Sequence, residues 1–286
     1  MGVNHKGVLK INGSQICDYV YFTNTGLSSE QLAANSQLGN CYQWTFNTQF
    51  RIDFTRLLVA GNASTGDEPP DSWDIYREVD GSGNLLYAGN STGDNLSFID
   101  YAIGNQRSVR YYIYPASGSY LGAPIVTDWI KTDFPGWSLI VCNSTDEDNV
   151  YTVDSIYHFD LNLAPTQISN NTQSSIIANF TNYLRVQTNN TNCWSGSLSA
   201  LLGKYDFTAN NGAGEYVEDL DMLKEYKSLT TDTRDMFLRD YDGNLLKVRI
   251  TSPITISQNI NSNRAEHTKA LSWVEVGSSE GVRITP

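Results

Sequence analysis

Charge is scarce in this sequence. Asp, Glu, Lys and Arg make up 17% of its 286 residues, against about a quarter in an average soluble domain. Cations are scarcer still: 19 Lys and Arg stand against 31 Asp and Glu, a formal net charge of −12. Nucleic acid and anionic membrane surfaces are both gripped through clustered Lys and Arg, so neither is expected as a partner. No run of about 18 apolar residues occurs, so no helix is expected to span a membrane. The N-terminal stretch MGVNHKGVLK has no apolar centre, so a classical secretion signal is not expected. Lys6 breaks the myristoylation pattern.

The residues that usually carry chemistry are also few. The three histidines, His5, His158 and His267, lie in different segments with no partner at metal-ligand or triad spacing. Gly196-Ser197-Leu198-Ser199 does not form a nucleophile elbow. Neither a His-Glu-x-x-His pair nor a phosphate loop is present. The four cysteines, Cys17, Cys41, Cys142 and Cys193, are far apart and read as buried free thiols rather than as a zinc or redox motif. Eight Asn-x-Ser/Thr sequons, including those at Asn62, Asn143 and Asn179, read as chance in an Asn-rich chain. Asp146-Glu147-Asp148 and Asp240-Tyr241-Asp242 offer hard oxygen ligands. The second has Leu245 where a calcium loop needs Gly and lacks a closing Glu. A solvated acidic loop and a hairpin turn account for them. The expectation is a non-enzyme with no catalytic residue, no cofactor and no metal. A module that binds host-surface carbohydrate is the alternative, and a carbohydrate-active enzyme built on paired carboxylates such as Asp53 and Asp74 is a third possibility, although nothing fixes their separation.

What is abundant is β-forming and aromatic: 17 tyrosines, ten phenylalanines and six tryptophans. Strands are expected at Val8–Ile11, within Ile16–Phe22, and along Phe46, Phe50, Ile52 and Phe54, with a short helix at Ser28–Ala34 capped by Ser28. Beyond a polar loop at Gly61–Asp71 come strands opening at Trp73 and spanning Leu85–Ala88, Leu96–Tyr101 and Ser108–Tyr114, spaced as in a small sandwich. Further on, Trp137–Cys142 is a central apolar strand and Tyr151–Leu163 an alternating one. Thr166–Ser175 reads as a polar spacer. Val217, Leu220, Leu223 and Tyr226 recur at spacings of three and predict one packed helix over Gly214–Ser228. Next, Met236 and Leu238 alternate, Asp242-Gly243-Asn244 turns the chain, and Leu246, Val248 and Ile250 alternate again, which predicts a β-hairpin. Strands at Ile254–Ile260 and Lys269–Val276 close the chain. The organisation expected is 1–41, N-terminal strands and short helix; 42–125, a sandwich; and 126–286, a β-rich domain with one helix.

Three fragments of the sandwich segment resemble a fibronectin type III module: Trp73-Asp74-Ile75-Tyr76-Arg77-Glu78, Phe98-Ile99-Asp100-Tyr101 and Tyr111-Tyr112-Ile113-Tyr114-Pro115. The second half resembles a tail protein of long-tailed bacteriophages, of the kind found in tail tips and baseplates. That resemblance rests on Cys193-Trp194-Ser195-Gly196-Ser197-Leu198-Ser199-Ala200-Leu201-Leu202-Gly203, the following helix, the segment Leu238–Ile250 with its Asp242-Gly243 turn, and Leu271-Ser272-Trp273-Val274-Glu275-Val276. The fold it implies is mainly β: a fibronectin type III-like β-sandwich followed by a tail-type domain with one packed α-helix. The function it implies is that of a virion tail subunit, made in the host cytoplasm. Its partners would be copies of itself in a ring and neighbouring tail proteins.

Strand alternation assigns two tyrosines to surface duty. Tyr111 and Ile113 face opposite Tyr112 and Tyr114, so one set is core and the other is available outside. Tyr112, Tyr114 and Tyr120 are the candidate contacts, to a neighbouring subunit or to a host-surface glycan.

Overall fold

Three strands carry apolar residues on both faces, and they set the architecture. In a computed structural model, the strand Tyr19–Thr23 is buried at every position. Val20 and Phe22 enter a core with Trp73, Ile75, Tyr111 and Ile113. Tyr19 and Tyr21 enter another, with Ile140, Phe237 and Ile284. The strand Trp137–Ser144 is divided in the same way: Ile140 and Cys142 join that second core, while Leu139 and Val141 face a third with Leu238, Val248 and Trp273. Asp235–Arg239 sends Phe237 one way and Met236 and Leu238 the other. A strand covered on both faces has no polar side, which is why YVYF and WSLIVC read as runs rather than as alternations.

The structure describes residues 8–11, 19–23, 41–45, 52–53, 67–93, 96–134, 137–159, 168–177, 185–201, 204–206, 215–217, 226, 228–252, 254–261 and 264–286. The layers are three main sheets. The inner one runs Val8–Ile11, Cys41–Thr45, Tyr19–Thr23, Ser97–Asp100, with Cys41–Thr45 parallel to Tyr19–Thr23 and the other pairs antiparallel. A six-stranded antiparallel sheet packs on one face of it. Its order is Tyr120–Leu121, Ser108–Ser117, Ser72–Val79, Leu86–Thr92, with Ile125–Val126 and Ile130–Lys131 also pairing with Ser108–Ser117. On the other face lies a nine-stranded sheet, ordered Ile168–Ile177, Arg185–Leu201, Arg264–Gly277, Leu245–Ile250, Asp235–Arg239, Trp137–Ser144, Val150–Phe159, Arg283–Thr285, with Thr255–Asn261 on Arg264–Gly277. Arg283–Thr285 is its parallel member. Among the described residues no helix is long and apolar enough to cross a membrane.

The hairpin forms in the register its sequence implies, with Met236 opposite Val248 and Leu238 opposite Leu246. Asp240 closes the turn by accepting from the Asn244 N–H at 2.7 Å and from its Nδ2 at 2.6 Å. Gly243 sits at φ +96°, where a side chain would be strained.

Two expectations are corrected. The supposed spacer Thr166–Ser175 is instead a strand, Ile168–Ile177, paired along its length with Arg185–Leu201. Its Asn, Ser and Thr composition resembles a loop, but the ladder is held by backbone groups that composition does not report. Among the described residues, the helix expected over Gly214–Ser228 is not seen. Glu215–Val217 is a strand paired with Lys204–Asp206, Tyr216 opposite Tyr205, and the helical positions described are Tyr226, Ser228 and Leu229. Adjacent Tyr216 and Val217 favour extended backbone, and a β-branched residue is a poor helix opener. Residues 218–225 and the helix expected at Ser28–Ala34 lie outside the described residues. Of the run expected from Phe46 to Phe54, Ile52–Asp53 is described; it pairs with Asp67–Glu68, inside the expected polar loop.

The two outer sheets are held in register by polar contacts at one end of the stack. Arg77 and Asp100 are buried together at 2.9 Å. Asp100 also accepts from the Tyr111 hydroxyl at 3.0 Å and the Ala102 N–H at 2.9 Å. The second terminal nitrogen of Arg77 donates to the Val282 carbonyl at 2.9 Å, and the Tyr101 N–H donates to the Ile284 carbonyl at 3.1 Å. From the opposite side, buried Arg239 donates to the Tyr101 carbonyl at 2.7 Å and lies 4.0 Å from the Phe134 ring centre. The hairpin tip seats on the loop before Ser108–Ser117. Arg107 Nε donates to the Gly243 carbonyl at 2.9 Å, and a Cβ on Gly104 would fall 2.1 Å from that same oxygen. A cleft of about 450 Å³ lies beside this contact.

Gly104→Ala cannot be accommodated without moving the hairpin tip, and overpacking of that kind costs about 1–3 kcal/mol or more. Urea titration should show a lowered midpoint. Arg77→Met strands the Asp100 carboxylate in the core, and breaking a buried pair in this way costs about 3–5 kcal/mol. The same titration reads it, and a midpoint within error of the parent would contradict the assignment of Arg77.

Candidate interaction surface

The outer face of the six-stranded sheet is built by simple alternation. Along Ser72–Val79, Trp73 and Ile75 point inward and Asp74 and Tyr76 outward; along Ser108–Ser117, Val109, Tyr111 and Ile113 point inward and Arg110, Tyr112 and Tyr114 outward. The register then assembles a row across four strands. Tyr76 stands opposite Tyr87 on one side and Tyr112 on the other, and Tyr112 stands opposite Val126. Above the row Glu78 faces Arg110, and below it Asp74 faces Tyr114.

The rings interlock instead of lying flat. Tyr76 and Tyr87 meet with centres 5.3 Å apart at 63°, and Tyr76 and Tyr114 at 5.5 Å and 85°. Edge-to-face contacts of this kind add about 0.5–1.5 kcal/mol each beyond the area they bury. The last strand is interrupted between Val126 and Ile130: the Thr127 hydroxyl accepts from the Tyr111 N–H at 2.9 Å, while the Thr127 N–H donates to the Tyr111 carbonyl at 3.0 Å. The interruption turns Trp129 outward, 41% exposed. Arg110 lies between two rings, 4.5 Å from the centre of Trp129 and 5.1 Å from that of Tyr112.

Glu78 is the polar hub of the face. Its side chain is 5% exposed and receives Arg110 Nε at 2.8 Å, the Tyr112 hydroxyl at 3.0 Å and the Gly83 N–H at 3.0 Å. The Arg110 hydrogen bond, reinforced by Tyr112 and Gly83, holds its carboxyl below the ordinary glutamate range against the opposing effect of burial. Tyr112 is pushed the other way, first by burial and then by its bond to Glu78. Tyr87 is also raised, by burial and by the Asp74 carboxylate. The Tyr112 hydroxyl therefore stays the protonated donor of its bond to Glu78.

Tyr112 and Tyr114 thus share one outward face, both half-buried, and Tyr120 pairs with Ser117 at the end of the same sheet. The sequence reading missed Tyr76, Tyr87, Val126, Arg110 and Glu78, although inward Trp73 and Ile75 already implied that Tyr76 pointed out. Trp129, in a strand interruption, carried no periodic signal.

The acidic clusters have other occupations. Glu147 pairs with Arg283 at 3.0 Å, and both Asp240 oxygens accept from Asn244. Among the described residues, no group of three or more His, Cys, Asp or Glu gathers as a metal site would require. Asp74 lies on the outer aromatic face; the side chain of Asp53 is outside the described residues. Cys142 and Cys193 are free thiols, and burial pushes Cys142 up to about 12.

No family model matches the chain, and no curated protein matches it. Among solved structures, a chain from the "Virion of native gene transfer agent (GTA) particle" is similar at 16% identity and a TM-score of 0.26, over 41% of this chain and 81% of its own length.

A carboxylate held below its ordinary range stabilises the fold above its unfolded pKa and ceases to do so as pH falls through the folded value. Glu78→Gln should therefore be less stable than the parent at neutral pH, and the gap should close on acidification below the ordinary glutamate range. Urea midpoints across pH 3–7 for both proteins check this; a gap that is constant with pH would assign Glu78 no such role.

Proposed function

We propose that this chain is a structural subunit of a bacteriophage virion tail, in a tail-tip, baseplate or adaptor ring, and that it works by protein–protein contact rather than by catalysis. The observation that carries the reading is spatial. The fragments that resemble tail proteins are separated in sequence but lie on successive strands of one sheet: Arg185–Leu201, then Arg264–Gly277, then Leu245–Ile250, then Asp235–Arg239. They behave as one structural unit, as a shared domain would. The accompanying helix is not part of that support.

The fibronectin type III-like reading of the first half has support of the same kind. Its three sequence fragments each contribute one member of the buried cluster Arg77, Asp100 and Tyr111. The strand order Leu86–Thr92, Ser72–Val79, Ser108–Ser117, Ile125–Val126, facing Tyr19–Thr23 and Ser97–Asp100, fits a sandwich of that type. A second reading, recognition of a host-surface glycan, draws on the outer face, where aromatic rings sit beside Asp74 and Glu78.

Antibody raised against the chain should decorate one defined level of the tail in electron micrographs of purified particles. Particles that lack the chain by mass spectrometry, from cells that express it, would remove the virion reading altogether.

A further inference from the structure

We infer that the outer face of the six-stranded sheet is a contact surface for a second copy of this chain, joined face to face about a two-fold axis. The inference names the partner of the surface described above and rests on the virion reading only for its biological setting.

Ring geometry distinguishes a protein from a sugar as occupant. A glycan platform offers flat, parallel ring faces, whereas Tyr76 is locked at 63° and 85° against Tyr87 and Tyr114, and Arg110 already covers a face of Trp129. What the surface offers is rigid aromatic bulk around an internally satisfied Glu78–Arg110–Tyr112 cluster. Tyr, Trp and Arg are the residues that protein interfaces enrich at their centres. Val126 at 43%, Trp129 at 41% and Tyr87 at 36% exposed stand around that centre. At the margin beside Tyr87, Arg283 lies 5.1 Å from its ring and pairs with Glu147, which makes a polar rim.

Charge on this face is compatible with a sister copy. Two chains of net charge −12 repel each other at long range. On this face the charges nearly cancel: Asp74 and Glu78 stand with Arg110 and Lys131. A two-fold axis presents each row to its own reverse, which can bring the exposed Lys131 of one copy to the Asp74 end of the other. Area is compatible as well. Ser72–Val79, Leu86–Thr92 and Ser108–Ser117, about 4.8 Å apart and about 26 Å long, give roughly 370 Å² in projection, and the short strands Ile125–Val126 and Ile130–Lys131 add an edge to it. Side-chain relief raises that toward the roughly 800 Å² per partner of a standard interface. The pair, rather than the single chain, is then the unit from which a larger tail assembly is built.

The test is mass in solution. Light scattering behind size exclusion at about 10 µM, a concentration that interfaces of this size can support, should give twice the 31.8 kDa chain mass. Val126→Lys with Tyr87→Lys should give the monomer mass, at least a tenfold weaker association, with the parent's far-ultraviolet circular dichroism spectrum retained. Because Tyr87 also packs against Tyr76, Val126→Lys alone serves as the second variant and should weaken pairing with the same unchanged spectrum. A monomeric parent, a variant that pairs as the parent does, or a monomer retained on host cell-wall polysaccharide through these residues would each overturn the inference. Particles labelled by antibody while the variant still pairs would reject this contact and leave the virion reading standing.

Discussion

A five-residue strand with no face left for water is the constraint from which the rest of the structure follows. Tyr19–Thr23 gives Val20 and Phe22 to one core and Tyr19 and Tyr21 to the next, so the sheet containing it can only be an interior layer. A layer buried on both sides commits its neighbours: one must supply Trp73, Ile75 and Tyr111, the other Ile140, Phe237 and Ile284. Fully burying side chains of this size contributes about 1.5–3 kcal/mol each, and the strand places four of them within five residues. Because the middle layer consumes the inner faces, any free face of the six-stranded sheet must be its outer one.

Apolar burial supplies the energy of that stack but little of its register, because one greasy face slides over another at small cost. Register comes from the polar end. Arg77 bridges Asp100 in the inner sheet to the Val282 carbonyl beyond it, and Arg239 reaches back to the Tyr101 carbonyl. A buried ion pair is a poor source of net stability but a strong penalty on misalignment, because any offset leaves a charge without its partner. Tyr111 extends the same logic. Burial and the neighbouring Asp100 carboxylate push its phenol well above the ordinary range, so the hydroxyl remains the donor that Asp100 needs. The Gly104 contact adds a steric check at the hairpin tip, where two backbones meet with no room for a methyl group.

Much of this was legible before any coordinates. The hairpin was readable because alternation on both sides and an Asp-Gly turn agree with each other, and the register Met236 to Val248 follows from them. The inward and outward split of Tyr111, Tyr112, Ile113 and Tyr114 was readable from period two alone. What failed did so for identifiable reasons. Ile168–Ile177 hid in Asn, Ser and Thr because its pairing is carried by backbone groups common to all residues. Glu215–Val217 was drawn into a helix by apolar spacings of three that extended well beyond it, although Tyr216 and Val217 locally favour a strand. The Arg77–Asp100 pair was invisible as a pair, since residues 23 apart become partners only once three strands have been stacked. For the surface, two of the three expected tyrosines fell on the outer face, yet the residues that organise them, Glu78 and Arg110, looked like ordinary strand charges.

The outer face is hard to explain by folding alone. A solvent-facing antiparallel strand normally carries charge or small polar groups, and charge outside would also have kept an acidic chain apart from its neighbours. Here the outward positions instead hold Tyr76, Tyr112, Tyr114 and Trp129, and two of the face's charges, Glu78 and Arg110, satisfy each other. Such a face adds little to the stability of the single chain, because its rings stay half in water, and it leaves an apolar patch that invites nonspecific association. Rigid, pre-bonded aromatics lose little further entropy when covered, so the same arrangement that is a liability in isolation lowers the ordering cost of a specific contact. The stack covers the inner face of the six-stranded sheet, and the aromatic outer face it leaves in water has the chemistry of a protein contact.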